Sequence, residues 1–480
     1  MRVCLILEGC YPYVTGGVSS WMDSYIRNMP EHEFVLWVIG AKAEQKGKFK
    51  CWEKKGKPEN VTEVYEVFLD DALRVKDTGI LPQKFTQEEH EALKRLVSSD
   101  KPNWELLFDM YQVRKINPMA YLKSEKFLQI LTETCKTQFP YIAFSDAFHS
   151  VRSRLLPVLY LMGAEMPKAD CYHSICTGYG GLIASMAAHI YNKPLLLTEH
   201  GIYTREREEE IIRAKWVARA FKPHWVDFFY MLSDLIYQRA FRVTSLFTRA
   251  MYTQIDMGCP ADKCRVIANG IDYEGYSKVP PKVDDGIVNI GAVVRMAPIK
   301  DIKTMIYAFY ELSRRRNDVR LEILGGIDDP EYDEECRAIV KQLGLEEKII
   351  FPGFKQMPDY YENFDFTLLT SISEGQPLTV LESFAAKRPC VTTDVGCCNE
   401  LLDGAPGDDL GKGGYFVPPM QREKLADAME ILCESKELRL KMGEIGQRRA
   451  EKYYRNEIML KKYRDLYIEV ENEWQASVLN

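Results

Sequence analysis

Short apolar runs alternate with amphipathic helical patterns along most of the chain. The first series comprises Val3–Leu7, Phe34–Ile39, Leu195–Thr198, Val243–Phe247 and Arg265–Ile267. The second comprises Ile287–Val294, Leu321–Leu324, Ile349–Phe351, Thr367–Thr370 and Cys390–Thr393, with helical patterns such as Ile302–Arg315 and Glu334–Leu343 between its members. This alternation predicts an α/β fold in which parallel sheets are wound by βαβ crossovers.

The two series predict two domains, because 480 residues exceed what one hydrophobic core usually supports. The polar, proline-containing segment 272–286 is predicted to be the linker. We therefore expect an N-terminal domain over 1–280, interrupted by a charged, largely helical insertion near 42–170. A C-terminal domain is expected over 281–455, and a final helix over 456–480 that packs back on the N-terminal domain.

Composition narrows the class of protein. The chain is 46% hydrophobic and 28% charged, which is typical of a folded globular protein, and its net charge of -7 argues against a protein that coats nucleic acid. Thirteen cysteines without metal-ligand spacing favour reduced thiols and a cytoplasmic location. No apolar run is long enough to span a bilayer, so membrane association is expected only through a protein partner.

A segment with two glutamates, Glu374-Gly-Gln-Pro-Leu-Thr-Val-Leu-Glu382, joins a predicted strand to a predicted helix. Proline suits a first helical turn, so Gln376, Pro377, Leu378 and Thr379 would form a helix N-terminus whose free amides can bind phosphate. Glu382 inside the helix could accept ribose hydroxyls, and Glu374 could face a transferred sugar. The alternative is a solvated Glu374 and a Glu382 that pairs with a neighbouring cation.

Two cations, Arg295 and Lys300, follow the first strand of the second series. Together they can neutralise a diphosphate, and the carboxyl end of a strand is where α/β folds place their sites. Each alone could equally be a surface charge. The chain has no Asp-x-Asp triplet, the usual carboxylate pair for a metal on a nucleotide diphosphate, so no metal ion or other cofactor is expected.

The first domain offers weaker signals. Gly16 and Gly17 lie between the first strand and an amphipathic helix, where they would allow a ligand to approach backbone amides, although a simple turn explains them as well. His200 follows a buried strand and could act at the cleft or be a structural histidine. Asn269-Gly270 is favoured as a turn.

Together these segments resemble family 4 of the retaining glycosyltransferases, which have the GT-B architecture of two facing Rossmann-like domains with a cleft between them. The resemblance runs through Gly16-Gly-Val18, Thr198-Glu-His-Gly201, Asn269-Gly-Ile-Asp272, Arg295 with Lys300, Glu374-x7-Glu382 and Asp394-Val-Gly-Cys-Cys-Asn-Glu400. It implies transfer of a hexose from a nucleotide sugar without a metal ion.

The resemblance also implies roles for the site residues. Arg295 and Lys300 would bind the donor diphosphate and Glu382 its ribose. Glu374 would bind the hexose together with the Gln376–Thr379 amides. The glycines at 16 and 17 would lie on the opposite wall, His200 near the transferred sugar, and the nucleobase at Phe351–Phe354, with Phe354 as its ring partner.

Two longer strings resemble the glycosyltransferases of Pel exopolysaccharide synthesis, namely Glu8–Trp21 and Thr198–Glu208. That resemblance extends over the early insertion and implies a UDP-sugar donor, a growing polysaccharide as acceptor and an inner-membrane secretion complex as partner. Gln376 departs from the family, which has a hydrophobic residue there, so the sugar preference stays open. A silent nucleotide-sugar-binding scaffold and another GT-B enzyme such as an epimerase are the alternatives.

Overall fold

A computed structural model describes residues 1–14, 16–74, 85–117, 121–355 and 357–479. The strands are β1 Arg2–Glu8, β2 Glu33–Gly40, β3 Val61–Phe68, β4 Cys171–Ser174, β5 Leu195–Glu199, β6 Arg242–Ser245, β7 Cys264–Val266, β8 Val288–Val293, β9 Val319–Leu324, β10 Ile349–Gly353, β11 Phe366–Leu369, β12 Cys390–Thr393 and β13 Gly414–Val417.

The helices run between these strands and after them. They are α1 Gly17–Arg27, α2 Gln87–Val97, α3 Trp104–Gln112, α4 Glu125–Gln138, α5 Phe144–Met162, α6 Gly178–Tyr191, α7 Tyr203–Arg213, α8 Lys222–Arg239, α9 Thr248–Asp256, α10 Tyr273–Tyr276, α11 Ile302–Arg315, α12 Pro330–Gln342, α13 Leu378–Ala385, α14 Cys398–Asp403, α15 Arg422–Glu434, α16 Lys436–Tyr453 and α17 Asn456–Leu479. Short 3-10 turns include Pro298–Lys300 and Arg219–Phe221.

The first sheet has the strand order β3-β2-β1-β4-β5-β6-β7 over the described residues, and its pairs from β3 to β6 are parallel. Leu5 in β1 lies opposite Leu36 in β2 and His173 in β4. The direction of winding reverses between β1 and β4. In open parallel sheets, ligands bind where two such strands diverge, outside their carboxyl ends.

The second sheet has the order β10-β9-β8-β11-β12-β13 in the part of the chain described, and all of its pairs are parallel. Its winding reverses between β8 and β11. Central strands such as β8 and β12 are buried along nearly their whole length, as expected when helices cover both faces of a parallel sheet. The predicted fold class, two Rossmann-like parallel sheets, is confirmed.

The chain divides into two compact units. The first contains 1–245, 251–265 and the chain from Tyr467 onward, and the second contains 246–250 and 266–466. The second unit thus begins ahead of the predicted boundary at 280/281, and the predicted linker 272–286 lies within it. Ile271 and Tyr273 explain why, because both are buried in the second hydrophobic core.

The C-terminal helix α17 contributes to both units. From Tyr467 onward it belongs to the first unit, where the Tyr467 hydroxyl lies 2.8 Å from both the Tyr25 hydroxyl and His173 Nδ1. The opposite ring nitrogen of His173 lies 2.8 Å from Thr198 Oγ1, and burial lowers the pKa of this histidine to about 3. A neutral hydrogen-bonded chain therefore ties the last helix to the first core.

The predicted, largely helical insertion near 42–170 contains helices α2 to α5. It also contains strand β3, which the sequence did not predict and which pairs with β2 at the sheet edge. Residues 75–84 and 118–120 of the insertion lie outside the described residues. No helix within the described ranges is long and apolar enough to cross a membrane.

Candidate active site

The second unit brings the predicted donor-site residues to the point where β8 and β11 diverge. Arg295 follows β8, Lys300 closes the 3-10 turn before α11, and Glu374 follows β11. Two hydrogen bonds join these loops. Ile372 N donates to Ile299 O at 2.9 Å, and Thr370 Oγ1 donates to Lys300 O at 3.0 Å. The charged residues thus extend from a braced pair of loops.

Lys300 and Glu374 form an ion pair. Lys300 Nζ donates to Glu374 Oε1 at 2.5 Å, and Ser371 Oγ donates to the same oxygen at 2.5 Å. The two side chains are only 16% and 12% exposed. A mostly buried, charge-assisted pair of this kind fixes both groups in place, as a preorganised site requires.

Arg295 differs from Lys300 in exposure. Its side chain is 55% exposed and pairs with Asp328. Gly325 supports this loop, because a Cβ atom there would overlap the carbonyl of Val294. Sequence reasoning missed this glycine, although its place directly after a buried strand was a usable signal.

The predicted helix N-terminus lies at α13, which begins at Leu378 with Pro377 as its N-cap. Pro377 therefore precedes the first turn instead of starting it. Gln376 is buried, and its Oε1 accepts a hydrogen bond from Asn269 N at 2.7 Å. Its side-chain oxygen therefore fixes the Asn269-Gly270 segment, a structural role that the sequence did not predict. The turn predicted at these two residues is not formed, because neither has a positive φ.

Glu382 lies in α13 among tyrosines. Tyr361 hydroxyl lies 3.5 Å from Glu382 Oε2, and the Tyr276 hydroxyl also hydrogen bonds this carboxyl group. Burial raises the pKa of Glu382 to about 6, against the lowering effect of the two hydroxyls. A small cavity of about 10 Å³ lies beside Tyr361 and is also lined by residues of β8, β11 and α13.

Gly396 braces the loop that carries Glu374. It has φ +56°, and a Cβ atom there would overlap the carbonyl oxygens of Glu374 and Gly375. Cys397 N also donates to Gly375 O at 3.1 Å. We expect Gly396→Ala to push the loop aside and to lower kcat about tenfold, since small misplacements of a catalytic group are costly.

Steady-state kinetics on Gly396→Ala would check this, with Gly407→Ala as the matched control. Gly407 also has positive φ, +91°, but a Cβ atom there meets nothing within 4 Å. Both substitutions carry backbone strain, and only the first touches the loop. Equal losses of activity in the two variants would contradict the proposed bracing.

The predicted nucleobase segment is split between two environments. Phe351 is partly buried, with the Arg337 guanidinium 4.5 Å from its ring centroid. Phe354 is 79% exposed. Its role as a ring partner for a nucleobase stays a prediction.

The first unit has its own charged cluster where β1 and β4 diverge. Glu8 ends β1, and its carboxylate accepts hydrogen bonds from Tyr203 hydroxyl at 3.1 Å, Arg207 Nη2 at 3.3 Å and Gly180 N at 3.2 Å. Burial raises its pKa although Arg207 opposes this. The sequence analysis used Glu8 only as the start of the string Glu8–Trp21 and missed this cluster.

Gly16 and Gly17 lie at the start of α1, with Gly16 as the N-cap. A Cβ atom at either position would meet nothing within 4 Å. Packing therefore does not demand glycine at these positions. Their role in the approach of a ligand to the backbone amides stays a prediction.

His200 follows β5 and packs against Trp21. The two ring centroids are 4.4 Å apart at an interplanar angle of 74°. Its Nε2 is buried and has no hydrogen-bond partner among the residues described. Burial lowers the pKa of His200 to about 4, so the ring is neutral at pH 7 and Nε2 is available to a ligand.

This burial predicts a pH-dependent cost in stability. Because the pKa of His200 falls from 6.5 unfolded to about 4 folded, the unfolded chain binds more protons between these values. The free energy of unfolding should therefore fall as pH drops from 6.5 to 4, by up to about 3 kcal/mol from this group. His200→Gln should remove that contribution.

Urea unfolding of wild type and His200→Gln across this pH range measures the effect as a difference between the two proteins. The exposed His149→Gln is the control for the substitution itself. A difference between wild type and His200→Gln that does not change with pH would show that His200 is not held neutral by burial.

The chain matches two family models. Residues 1–262, more than half of the chain, match the domain of unknown function DUF3492. The chain belongs to the DUF3492 family. Residues 286–435, which contain Arg295, Lys300, Glu374 and Glu382, match the model described as Glycosyl transferases group 1. The second unit is therefore a group 1 glycosyltransferase domain.

Similar curated proteins are glycosyltransferases. The chain is 28% identical over 187 residues to the putative colanic acid biosynthesis glycosyltransferase WcaL of Escherichia coli K12, covering 37% of the chain and 44% of WcaL. It is 25% identical over 280 residues to the MMP alpha-(1->4)-mannosyltransferase of Mycolicibacterium hassiacum, covering 57% and 64%. The matched region is thus less than two thirds of the length of each relative.

Solved structures share the fold. HepE of Anabaena in complex with UDP is 14% identical with a TM-score of 0.62, covering 98% of this chain and all of HepE. Sucrose-phosphate synthase of Thermosynechococcus elongatus is 13% identical with a TM-score of 0.59, covering 98% and 99%. At these identities the likeness establishes the GT-B fold alone.

Proposed function

We propose that the protein is a retaining glycosyltransferase that moves a hexose from a UDP-sugar to a growing polysaccharide. The observation that carries this proposal is the mostly buried Lys300–Glu374 pair at the point where β8 and β11 diverge. It lies in the domain that matches group 1 glycosyltransferases. HepE, a protein of the same fold that was crystallised with UDP and with UDP-glucose, supports UDP as the nucleotide.

Each residue has a part in the proposed reaction. Arg295, Lys300 and the free amides at the start of α13 stabilise the departing diphosphate, which is the main source of rate enhancement. The Glu382 carboxylate binds the ribose, and Glu374 holds the hexose. An acceptor hydroxyl attacks from the face that the diphosphate leaves, with neutral His200 beside the sugar.

We further propose a Pel-like role in exopolysaccharide synthesis in the cytoplasm, beside an inner-membrane secretion complex. Support comes from the strings Glu8–Trp21 and Thr198–Glu208 and from the similarity to WcaL, which is described as a colanic acid enzyme. The similarity to WcaL covers only part of the chain. The proposed acceptor and partners are therefore based on the two sequence strings.

A panel of UDP-, GDP- and ADP-sugars assayed for nucleotide release tests the proposal. We expect release from one UDP-hexose, stimulated by an oligosaccharide acceptor, and a product whose anomeric configuration matches that of the donor. Activity should persist in excess chelator if no metal is needed. Donor binding without release would indicate a scaffold, and an epimerised donor would indicate an epimerase.

A further inference from the structure

A basic, partly apolar surface lies on the first unit at the end of α7. It spans the last turn of α7, the loop that follows and the start of α8. We call it the basic aromatic surface, and its members are Ile212, Arg213, Lys215, Trp216, Arg219 and Lys222. Trp216 is 66% exposed and Ile212 is 58% exposed, whereas large apolar side chains are mostly buried in folded proteins.

The Trp216 ring and the backbone at Ile212 are held in place by contacts with α8 and its first residue. The Trp216 ring meets the buried Trp225 edge-on, with centroids 5.3 Å apart. Lys222 Nζ donates to Ile212 O at 2.5 Å, which fixes the loop end against α8. Trp216 is therefore a supported ring that faces solvent and not the tip of a loose loop.

The charge of this surface is unlike that of the chain as a whole. Residues 211–224 contain four basic residues and no acidic residue, although the chain carries a net charge of -7. Lys215 and Arg219 form no ion pair with any residue that the structure describes. Both are exposed, so their charges face solvent unpaired.

The acidic residues of the preceding turn already have partners. Glu208 accepts a hydrogen bond from the Tyr230 hydroxyl at 3.3 Å, Glu209 pairs with Arg213 at 3.4 Å, and Glu210 pairs with Arg207 at 2.5 Å. All three carboxylates are therefore already hydrogen bonded or ion-paired within the first unit. Beyond them, the segment 211–224 carries basic side chains and no carboxylate.

We propose that the basic aromatic surface binds directly to an anionic lipid membrane. Tryptophan and isoleucine insert at the boundary between headgroups and acyl chains, while lysine and arginine are attracted to anionic headgroups. The combination of an exposed tryptophan ring and isoleucine side chain with the unpaired Lys215 and Arg219 fits a membrane better than it fits an acidic protein. This attachment needs no protein partner, unlike the one the sequence suggested, and it does not depend on the proposed enzyme activity.

The position of the surface gives the attachment a direction. Helix α7 begins at Tyr203, whose hydroxyl contacts Glu8 where β1 and β4 diverge, and ends at Arg213. Eleven helical residues span about 16 Å at about 1.5 Å per residue. Membrane contact at the end of α7 would hold this part of the first unit close to the bilayer.

Co-sedimentation of the full chain with vesicles tests the proposal. We expect binding to vesicles of mixed phosphatidylglycerol and phosphatidylcholine, little binding to phosphatidylcholine alone, and loss of binding as salt is raised from about 0.1 M to about 1 M. The double variant Lys215→Glu and Arg219→Glu should weaken binding at least about tenfold. Trp216→Ser should weaken it about tenfold through lost insertion.

Matched controls separate this surface from general effects of charge and exposed rings. Tyr141→Ser removes a ring that is 99% exposed elsewhere on the first unit, and Lys54→Glu with Lys55→Glu reverses two exposed lysines. These variants should bind vesicles as wild type does. Wild type that stays in the supernatant, or Trp216→Ser that binds as tightly as wild type, would overturn the proposal. So would a dimer in light scattering that Trp216→Ser abolishes, because the occupant would then be a second copy.

Discussion

Replacing Glu374 with alanine is expected to lower kcat by about 10²–10³-fold while leaving the fold intact. In the structure this carboxylate is held by Lys300 and by Ser371 at the carboxyl end of β11. The proposed role needs that fixed position, because the hexose must be held while the diphosphate leaves. Kinetics with saturating donor and acceptor measure the loss of kcat, and a thermal unfolding curve shows whether the fold is intact.

Two further variants make this experiment decisive. Glu374→Gln keeps an oxygen for Ser371 and removes the charge, so it separates the loss of charge from the loss of shape. Glu335→Ala is the matched control, because Glu335 also pairs with a lysine of the same domain, Lys303, at 2.6 Å. Near-normal transfer by Glu374→Ala, or an equal loss of kcat in Glu335→Ala, would contradict the role assigned to Glu374.

Elements with a complete local signal were predicted well. Helix α11 has the predicted bounds Ile302–Arg315, since its apolar face is regular and Asp301 caps it by accepting from Thr304 N. The strands β8 and β12 were visible as continuous apolar runs. The order of these elements along the chain was enough to place Arg295, Lys300 and Glu374 at one edge of a sheet.

Strand β4 shows why other elements were missed. It is a central strand of four residues, and two of them, His173 and Ser174, are polar. No apolar run marks it, because its polar groups are satisfied by distant residues such as Tyr467. Strand β3 was missed for a different reason, since it lies at a sheet edge and carries charged residues that resemble the neighbouring helical stretch.

The candidate site was also only partly predictable from the sequence. Gln376 was predicted to face the donor, but its oxygen accepts from the backbone of Asn269, which is 107 residues away in sequence. The Glu8 cluster depends on Tyr203 and Arg207, which are nearly 200 residues further along the chain. Strand ends can be predicted from a sequence, whereas the partners that meet there depend on the topology of the sheet.

The two predicted diphosphate ligands, Lys300 and Arg295, differ in their burial and in their partners. We expect Lys300→Ala to weaken UDP binding about 100-fold, or about 2–3 kcal/mol, and Arg295→Ala to weaken it about tenfold. Lys300 is mostly buried, and its loss would leave the Glu374 carboxylate to repel the diphosphate. Arg295 is exposed and already paired with Asp328, so its charge is worth less.

Calorimetry with UDP measures both variants, and Lys303→Ala, which breaks the surface pair with Glu335, is the control. The double variant Lys300→Ala with Glu374→Ala should bind UDP more tightly than Lys300→Ala alone, because it removes the unpaired carboxylate. This recovery distinguishes a repulsive Glu374 from a simple loss of contacts. Unchanged affinity in Lys300→Ala would reject the diphosphate assignment, and strictly additive losses in the double variant would mean that the pair does not act as a unit in donor binding.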